Sequence, residues 1–226
     1  MFYFDPLYFI MLAPAILLGV WAQWRVQSNY HAAGKIPARL SGAAAARHVL
    51  NSAGLDNVAI EQVPGHLSDH YDPRHKVLRL SPEVFNQRSL AAVGIAAHEA
   101  GHAIQDARGY APLVVRNAVV PVANFGSGLS MLLIILGFFF SQTLIWVGIG
   151  LFATVVFFQV VNLPVEFNAS ARAKQQLVGL GIVDAQEMVH VNRVLNAAAL
   201  TYVAATLQSV LTLLYYVTRF TGGNRD

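Results

Sequence analysis

Four long apolar stretches constrain this chain more than any other feature of its sequence. They cover residues 7–24, 118–140, 143–161 and 195–217. A helix needs about 20 apolar residues to cross the roughly 30 Å hydrocarbon layer of a bilayer. Charged residues make up only 12% of the chain, against about 25% in ordinary soluble domains. The sequence therefore predicts a mainly α-helical membrane protein with about four transmembrane helices.

The same stretches divide the chain into five segments. The first ends in Trp21 and Trp24, whose rings suit the headgroup level, and it lacks a cleavage site, so we expect a retained anchor instead of a signal peptide. Only Ser141 and Gln142 separate the second and third stretches, which predicts a helical hairpin. The expected segments are an anchor at 1–24, a polar region at 25–112, the hairpin at 113–162, a helix at 163–194, and a C-terminal apolar helix and tail at 195–226.

The polar region at 25–112 combines helix and strand signals. Alternating apolar and polar residues predict strands at 58–63 and 76–80. Ser41 and Ser89 are residues of a type that caps helix N-termini, and each precedes an apolar run. We therefore expect a small α+β region. Its strand at 76–80 either offers an edge on which an extended peptide adds or packs as an ordinary member of a sheet.

Charge and cysteine content exclude several kinds of site. The formal net charge is only +3, and no run of lysine and arginine is long enough to form a phosphate-binding stripe, which argues against a nucleic-acid partner. The chain has no cysteine. A bound metal must therefore be held by imidazole and carboxylate groups.

The sequence His98-Glu99-Ala100-Gly101-His102 matches the metal motif HExxH. Residues four apart on a helix lie on one face, so both imidazoles can bind the same Zn²⁺ ion. Glu99 is then offset toward a water at the open metal position and can serve as the catalytic base. The alternative is a polar helix with two solvated histidines. The motif predicts a zincin-like catalytic region.

A later glutamate is the best candidate for the third metal ligand. Positions 105 and 108 hold Gln and Arg where the metzincin pattern requires Gly and His, which excludes that class. Glu166 is the only acidic residue between Asp106 and Asp184. Two predicted crossings separate Glu166 from the motif, so both segments return to the same side of the membrane. The alternative is a carboxylate that stabilises a helix N-terminus beginning at Pro164.

Several polar residues are candidates for supporting roles around the metal. Asp106 lies four residues beyond His102 and either orients an imidazole N–H or is a solvated charge. Asn168 and Ser170 are similar candidates near Glu166. A group that stabilises the transition state must face the developing oxyanion. The eligible side chains are Arg172, His190, Arg193 and Tyr202.

Several separated blocks together resemble the bacterial neutral zinc metallopeptidases called YugP-like. These blocks are GHLSDHYDP at 65–73, the strand at 76–80 with Ser81-Pro82, HEAGHAIQ at 98–105 and LPVEFNAS at 163–170. The resemblance covers most of the chain. It implies a zinc-dependent membrane peptidase similar in plan to HtpX-type proteases, with Glu166 as the third ligand. Two departures are Asn168, where the family has Asp, and Ser170, where HtpX-type enzymes have Asp.

Positive charge predicts the orientation in the membrane. Arg25, Lys35, Arg39 and Arg47 lie close behind the first apolar stretch, whereas the N-terminal tail holds only Asp5. We therefore expect a multi-pass protein of the plasma membrane whose active site faces the cytoplasm. Its expected partners are the lipid bilayer and polypeptide substrates, including membrane-associated or unfolded proteins.

Two other functions compete with an endopeptidase. One is a catalytically inactive, metal-binding membrane scaffold that retains the motif. The other is a metal transporter, which is disfavoured because the histidines lie outside the apolar spans.

Overall fold

The computed structural model describes residues 5–221, and these form seven helices and one three-stranded sheet. In chain order the elements are α1 (Pro6–Gly34), α2 (Gly42–Ser52), β1 (Ala59–Gln62), β2 (His70–Asp72), β3 (Val77–Leu80), α3 (Pro82–Asn86), α4 (Leu90–Ala107), α5 (Ala111–Phe140), α6 (Gln142–Gly179) and α7 (Ala185–Thr221).

The long helices contain all four predicted apolar stretches. α1, α5, α6 and α7 are each long and apolar enough to cross a membrane. α7 is long and apolar enough to cross a membrane although polar side chains interrupt its apolar run. The predicted class, a mainly α-helical membrane protein with a small α+β region, is therefore confirmed.

The chain divides into two compact units that each combine distant segments. The apolar unit comprises the residues up to Ala22, Val115–Leu163 and the residues from Leu200 onward. The polar unit comprises Gln23–Val114 and Pro164–Ala199. The polar unit therefore contains the HExxH motif and Glu166 together.

Glycines permit close packing of the hairpin within the apolar unit. A Cβ on Gly137 would lie 2.7 Å from the backbone nitrogen of Ile145, and one on Gly148 would lie 2.9 Å from the carbonyl oxygen of Ser130. Small residues at such positions let membrane helices approach each other closely. α5 and α6 therefore pack backbone against backbone on both sides of the turn.

The sheet of the polar unit has the order β1-β3-β2. β3 pairs with β1 in parallel and with β2 antiparallel. The possibility that the strand at 76–80 offers an edge to a peptide is therefore wrong, and the strand packs as an ordinary sheet member. Val77, Leu78 and Leu80 are buried, as expected for a central strand. The short strand β2 was not predicted from the sequence.

α4 lies in the core of the polar unit. Of its residues, Leu90, Val93 and Ala97 are fully buried, together with Leu50 of α2 and Leu177 of α6. The helix begins as predicted, because the Ser89 hydroxyl accepts a hydrogen bond from the amide of Ala92. This capped, buried helix is a rigid platform for the side chains of the motif.

α6 differs from the sequence-based expectation. Pro164 was expected in the first turn of a new helix, but the structure has one continuous helix over Gln142–Gly179 with Pro164 inside it. A proline within a helix removes one backbone hydrogen bond. Glu166 therefore lies in the interior of a long helix, and the alternative of a carboxylate at a helix N-terminus is wrong.

Candidate metal centre

α4 presents the two motif histidines to the same space. Their ring centroids lie 4.8 Å apart and the rings are nearly perpendicular, at 84°. His102 is buried, and His98 retains partial exposure. The four-residue spacing on one helix explains this proximity, because it places both side chains on one face.

Glu166 meets these histidines from α6. Its Oε2 lies 3.3 Å from Nε2 of His98 and 3.6 Å from Nε2 of His102. One potential ligand atom from each residue lies within 4.8 Å of the others. The structure therefore brings together the three side chains that the sequence analysis named as metal ligands.

A glycine in the motif allows the two helices to approach. A Cβ added to Gly101 would lie 2.6 Å from the carbonyl oxygen of Ala169. A Cβ atom does not lie within 3.0 Å of another heavy atom unless something shifts. The atom met here belongs to the backbone of Ala169, which cannot move aside as a flexible side chain can. Gly101 lies between His98 and His102 in the motif, and Ala169 lies three residues after Glu166, so α4 and α6 approach each other closely beside the site.

The residues present fit a zinc ion. Oε2 of Glu166 is buried and, within the described part of the chain, accepts no hydrogen bond. A buried carboxylate oxygen without a partner is costly, and a cation at this position would satisfy it. Donors about 2.0–2.2 Å from a tetrahedral ion lie about 3.3–3.6 Å apart, which agrees with the two distances above. Two imidazoles and one carboxylate are also a known catalytic zinc set.

Glu99 is buried and lies close enough to His102 and Asp69 for its charge to act on both. Its neighbours on α4, Ala96, Ala100 and Ala103, are small and buried. Among residues 5–221, no hydrogen bond or ion pair occupies its carboxylate. This carboxylate therefore lies near the three converging side chains without a hydrogen-bond partner among the described residues.

Each motif histidine has a hydrogen-bond partner at Nδ1. The hydroxyl of Ser170 lies 3.1 Å from Nδ1 of His98, and Oε1 of Gln105 lies 3.0 Å from Nδ1 of His102. Metal-binding histidines usually use the second ring nitrogen in this way. With both Nδ1 atoms paired, the two Nε2 atoms face Glu166.

Gln105 was missed by the sequence analysis. It is fully buried, and its amide nitrogen donates to the carbonyl oxygen of Val165 at 2.8 Å and to Oδ1 of Asn168 at 3.0 Å. Arg172 also donates to Oδ1 of Asn168, at 2.7 Å. The available signal was helical spacing, since a residue three after His102 shares its face.

Asp106, predicted either to orient an imidazole N–H or to be a solvated charge, contacts neither imidazole among the described hydrogen bonds. Its Oδ2 instead accepts hydrogen bonds from the Tyr71 hydroxyl and the Lys76 ammonium group. Gln105 and Ser170 take the positions on the imidazoles. Asp106, four residues after His102, lies toward the strands. Gln105, three residues after His102, lies toward α6.

His190 lies on α7 and is half-buried. Its neighbour Val191 packs at Gly94, one turn of α4 before His98. Within the described chain, no hydrogen bond joins His190 to the three converging side chains.

Asp69 lies near Glu99 but was not singled out from the sequence. Its carboxylate accepts hydrogen bonds from the backbone amide of Ser81 at 2.8 Å and from the hydroxyl of the same residue. Burial raises the pKa of Asp69, and the negative charge of Glu99 acts in the same direction. The loop before β2 thus brings a second carboxylate toward the site.

Comparison with known proteins shows the family of this chain. A family model described as "Putative neutral zinc metallopeptidase" matches residues 8–221. "Putative membrane protease YugP" of Bacillus subtilis (strain 168) is 47% identical over 222 residues, which are 96% of this chain and 99% of that protein. No solved structure matches the chain significantly. Because the match extends over almost the whole length of both proteins, the chain belongs to the neutral zinc metallopeptidase family.

Proposed function

We propose that this protein is a membrane-embedded zinc endopeptidase that hydrolyses peptide bonds of membrane-associated or unfolded proteins. The observation that carries the proposal is the buried, unpaired Oε2 of Glu166 facing Nε2 of His98 and Nε2 of His102. His98, His102 and Glu166 would hold the ion. Family membership supports the choice of zinc and of peptide hydrolysis.

Glu99 is the proposed catalytic base. The ion, when bound, lowers the pKa of a water and polarises the carbonyl group of the substrate. The Glu99 carboxylate accepts a proton from the attacking water and then delivers it to the leaving amine. The carboxylate has no hydrogen-bond partner among residues 5–221, which favours both transfers.

The position of the site in the chain favours substrates close to the bilayer. Glu166 follows the apolar run of α6 within a few residues, and α5 begins shortly after the motif helix α4 ends. The excess of positive charge after the first span supports a cytoplasmic orientation in the plasma membrane. Polypeptides that reach the membrane surface from the cytoplasm are therefore the proposed substrates.

The decisive experiment compares zinc content and peptide cleavage in the full-length protein reconstituted in lipid vesicles. For Glu99→Gln we expect unchanged zinc content and a fall of about 10²-fold or more in cleavage of an unfolded membrane protein. His102→Ala should lose both zinc and cleavage. Glu61→Gln, which changes an exposed glutamate of β1, is the matched control and should behave as the wild type.

Two outcomes would contradict the proposal. Unchanged cleavage by Glu99→Gln would remove that residue from the mechanism. A wild-type protein that binds zinc but cleaves no unfolded substrate would favour the inactive metal-binding scaffold instead.

A further inference from the structure

Four polar side chains form one hydrogen-bonded chain from α6 to the second motif histidine. Arg172 Nε donates to Asn168 Oδ1, and Gln105 Nε2 donates to the same oxygen. Gln105 Oε1 then lies against Nδ1 of His102. The chain therefore joins α4 and α6 beside the three proposed zinc ligands.

The polarity of this series of hydrogen bonds, meaning which group donates and which accepts, follows from the chemistry of the partners of Asn168 and Gln105. A guanidinium group has only donors, so Asn168 must present its oxygen to Arg172. The carbonyl of Val165 is only an acceptor, so Gln105 must present its NH₂ group to α6. The oxygen of Gln105 is then left for His102. This assignment rests on the partners and not on how the amide atoms are named.

This polarity determines the tautomer of His102. Nδ1 faces an oxygen that can only accept, so Nδ1 must carry the proton. Nε2 then presents its lone pair toward Oε2 of Glu166. His98 differs, because the Ser170 hydroxyl at its Nδ1 can either donate or accept. Of the two motif histidines, only His102 has a tautomer that is determined by residues other than the proposed metal ligands.

We propose that Arg172, Asn168 and Gln105 are positioning residues that fix the tautomer and ring orientation of His102 for metal binding. Gln105 is fully buried, so water cannot replace its partners. The Arg172 guanidinium carbon lies 5.9 Å from the Tyr110 ring centroid, a cation–π contact that keeps the arginine in place. The proposal rests on the zinc site of the proposed function.

The test measures the zinc dissociation constant of the full-length protein by competition with a chelator. Gln105→Met keeps the side-chain length but removes every hydrogen bond, and we expect zinc binding about 10–100-fold weaker. Asn168→Leu should weaken binding about 10-fold. Asn168→Asp retains an acceptor for both donors and should remain within about 3-fold of the wild type. Gln175→Met, at an exposed position of α6, is the control and should leave zinc affinity unchanged.

A purely structural role would have a different signature. It would lower the melting temperature of the metal-free protein while zinc affinity stayed unchanged in the variants that still fold. Wild-type affinity in Gln105→Met, or equal losses in Asn168→Asp and Asn168→Leu, would overturn the proposal. If Gln105→Met does not fold, the two Asn168 variants decide the question.

Failure of this inference can be distinguished from failure of the proposed function. If the wild type binds zinc and Glu99→Gln abolishes cleavage, unchanged affinity in the network variants would reject the positioning role alone. If the wild type binds no zinc, both proposals fail.

Discussion

Ser170 and Gln105 each contact the Nδ1 atom of one motif histidine, but they differ in their other hydrogen bonds. Gln105 is held by two further hydrogen bonds, whereas the hydroxyl of Ser170 contacts His98 alone among the polar groups of the described chain. Ser170 also lies one helical turn after Glu166 on α6. One small hydroxyl therefore links the first histidine to the helix that carries the carboxylate.

Loss of that hydroxyl should weaken zinc binding moderately. For Ser170→Ala we expect a zinc dissociation constant about 10-fold higher, because Nδ1 of His98 loses its partner while the ring keeps its packing. Chelator competition measures this change. Ser209→Ala removes a hydroxyl that bonds only within its own helix and should leave zinc affinity unchanged. Equal affinity in both variants would show that Ser170 does not orient His98.

At the scale of single residues, spacing alone predicted the two histidines and Glu99. Their relation is local, because one helix turn separates them. Gln105 was missed because a search for a carboxylate at the next turn favoured Asp106. Which of these two side chains reaches the imidazole depends on what lies beside α4, and the helical pattern does not contain that information.

At the scale of elements, α4 and α6 approach each other closely beside the site. Gly101 and Ala169 are the contact point, and both are too small to separate the two backbones. The glycine of the motif therefore has a packing role in addition to its place between the two histidines.

Enlarging this contact should separate the helices. Gly101→Ala would place a methyl group 2.6 Å from the carbonyl oxygen of Ala169, and we expect destabilisation of about 1–3 kcal/mol. Zinc binding should weaken as well, because Glu166 moves away from the histidines. Denaturant unfolding and chelator competition measure the two effects.

The control for this variant is Gly179→Ala at the end of α6, where an added Cβ would meet nothing within 4 Å. It should leave stability and zinc affinity close to those of the wild type. If Gly101→Ala matched this control in both measurements, the close approach would not limit the site.

Element boundaries were predicted best where a local signal marks them. Ser41 and Ser89 cap α2 and α4 as expected, because a capping hydroxyl acts on the amide three residues later. The central position of β3 was not decided by its own pattern, since the partners of a strand come from elsewhere in the chain. Pro164 was misleading, because it lies inside the continuous helix Gln142–Gly179 and does not begin a new one.

At the scale of the whole molecule, contacts inside the apolar unit bring three chain positions to one end. The Tyr215 hydroxyl of α7 donates to Asp5 at the start of α1, at 2.7 Å. Phe138 near the end of α5 contacts Phe220, with ring centroids 5.3 Å apart. The start of α1, the turn of the hairpin and the end of α7 therefore lie together, as in an up-and-down arrangement of four membrane helices.

The proposed orientation can be tested with introduced cysteines, because the natural chain has none. A membrane-impermeant thiol reagent should label Ser141→Cys, in the hairpin turn, in intact cells. It should label Gln62→Cys, on exposed β1, only after the cells are opened. The cysteine-free parent is the background control. The reverse labelling pattern would place the site outside, and equal labelling of both would contradict a membrane crossing by α5, between the polar region and the hairpin turn.

By itself, the sequence determined the membrane class, the four long helices, the capped motif helix and the pair of histidines on one face. These depend on interactions between residues a few positions apart. Only the tertiary structure decided that Oε2 of Glu166 is left unpaired against both imidazoles, that β3 is central and that Gln105 contacts His102. The bonds from Gln105 to Val165 and Asn168 span 60 and 63 positions, and contacts at such separations depend on how whole helices pack.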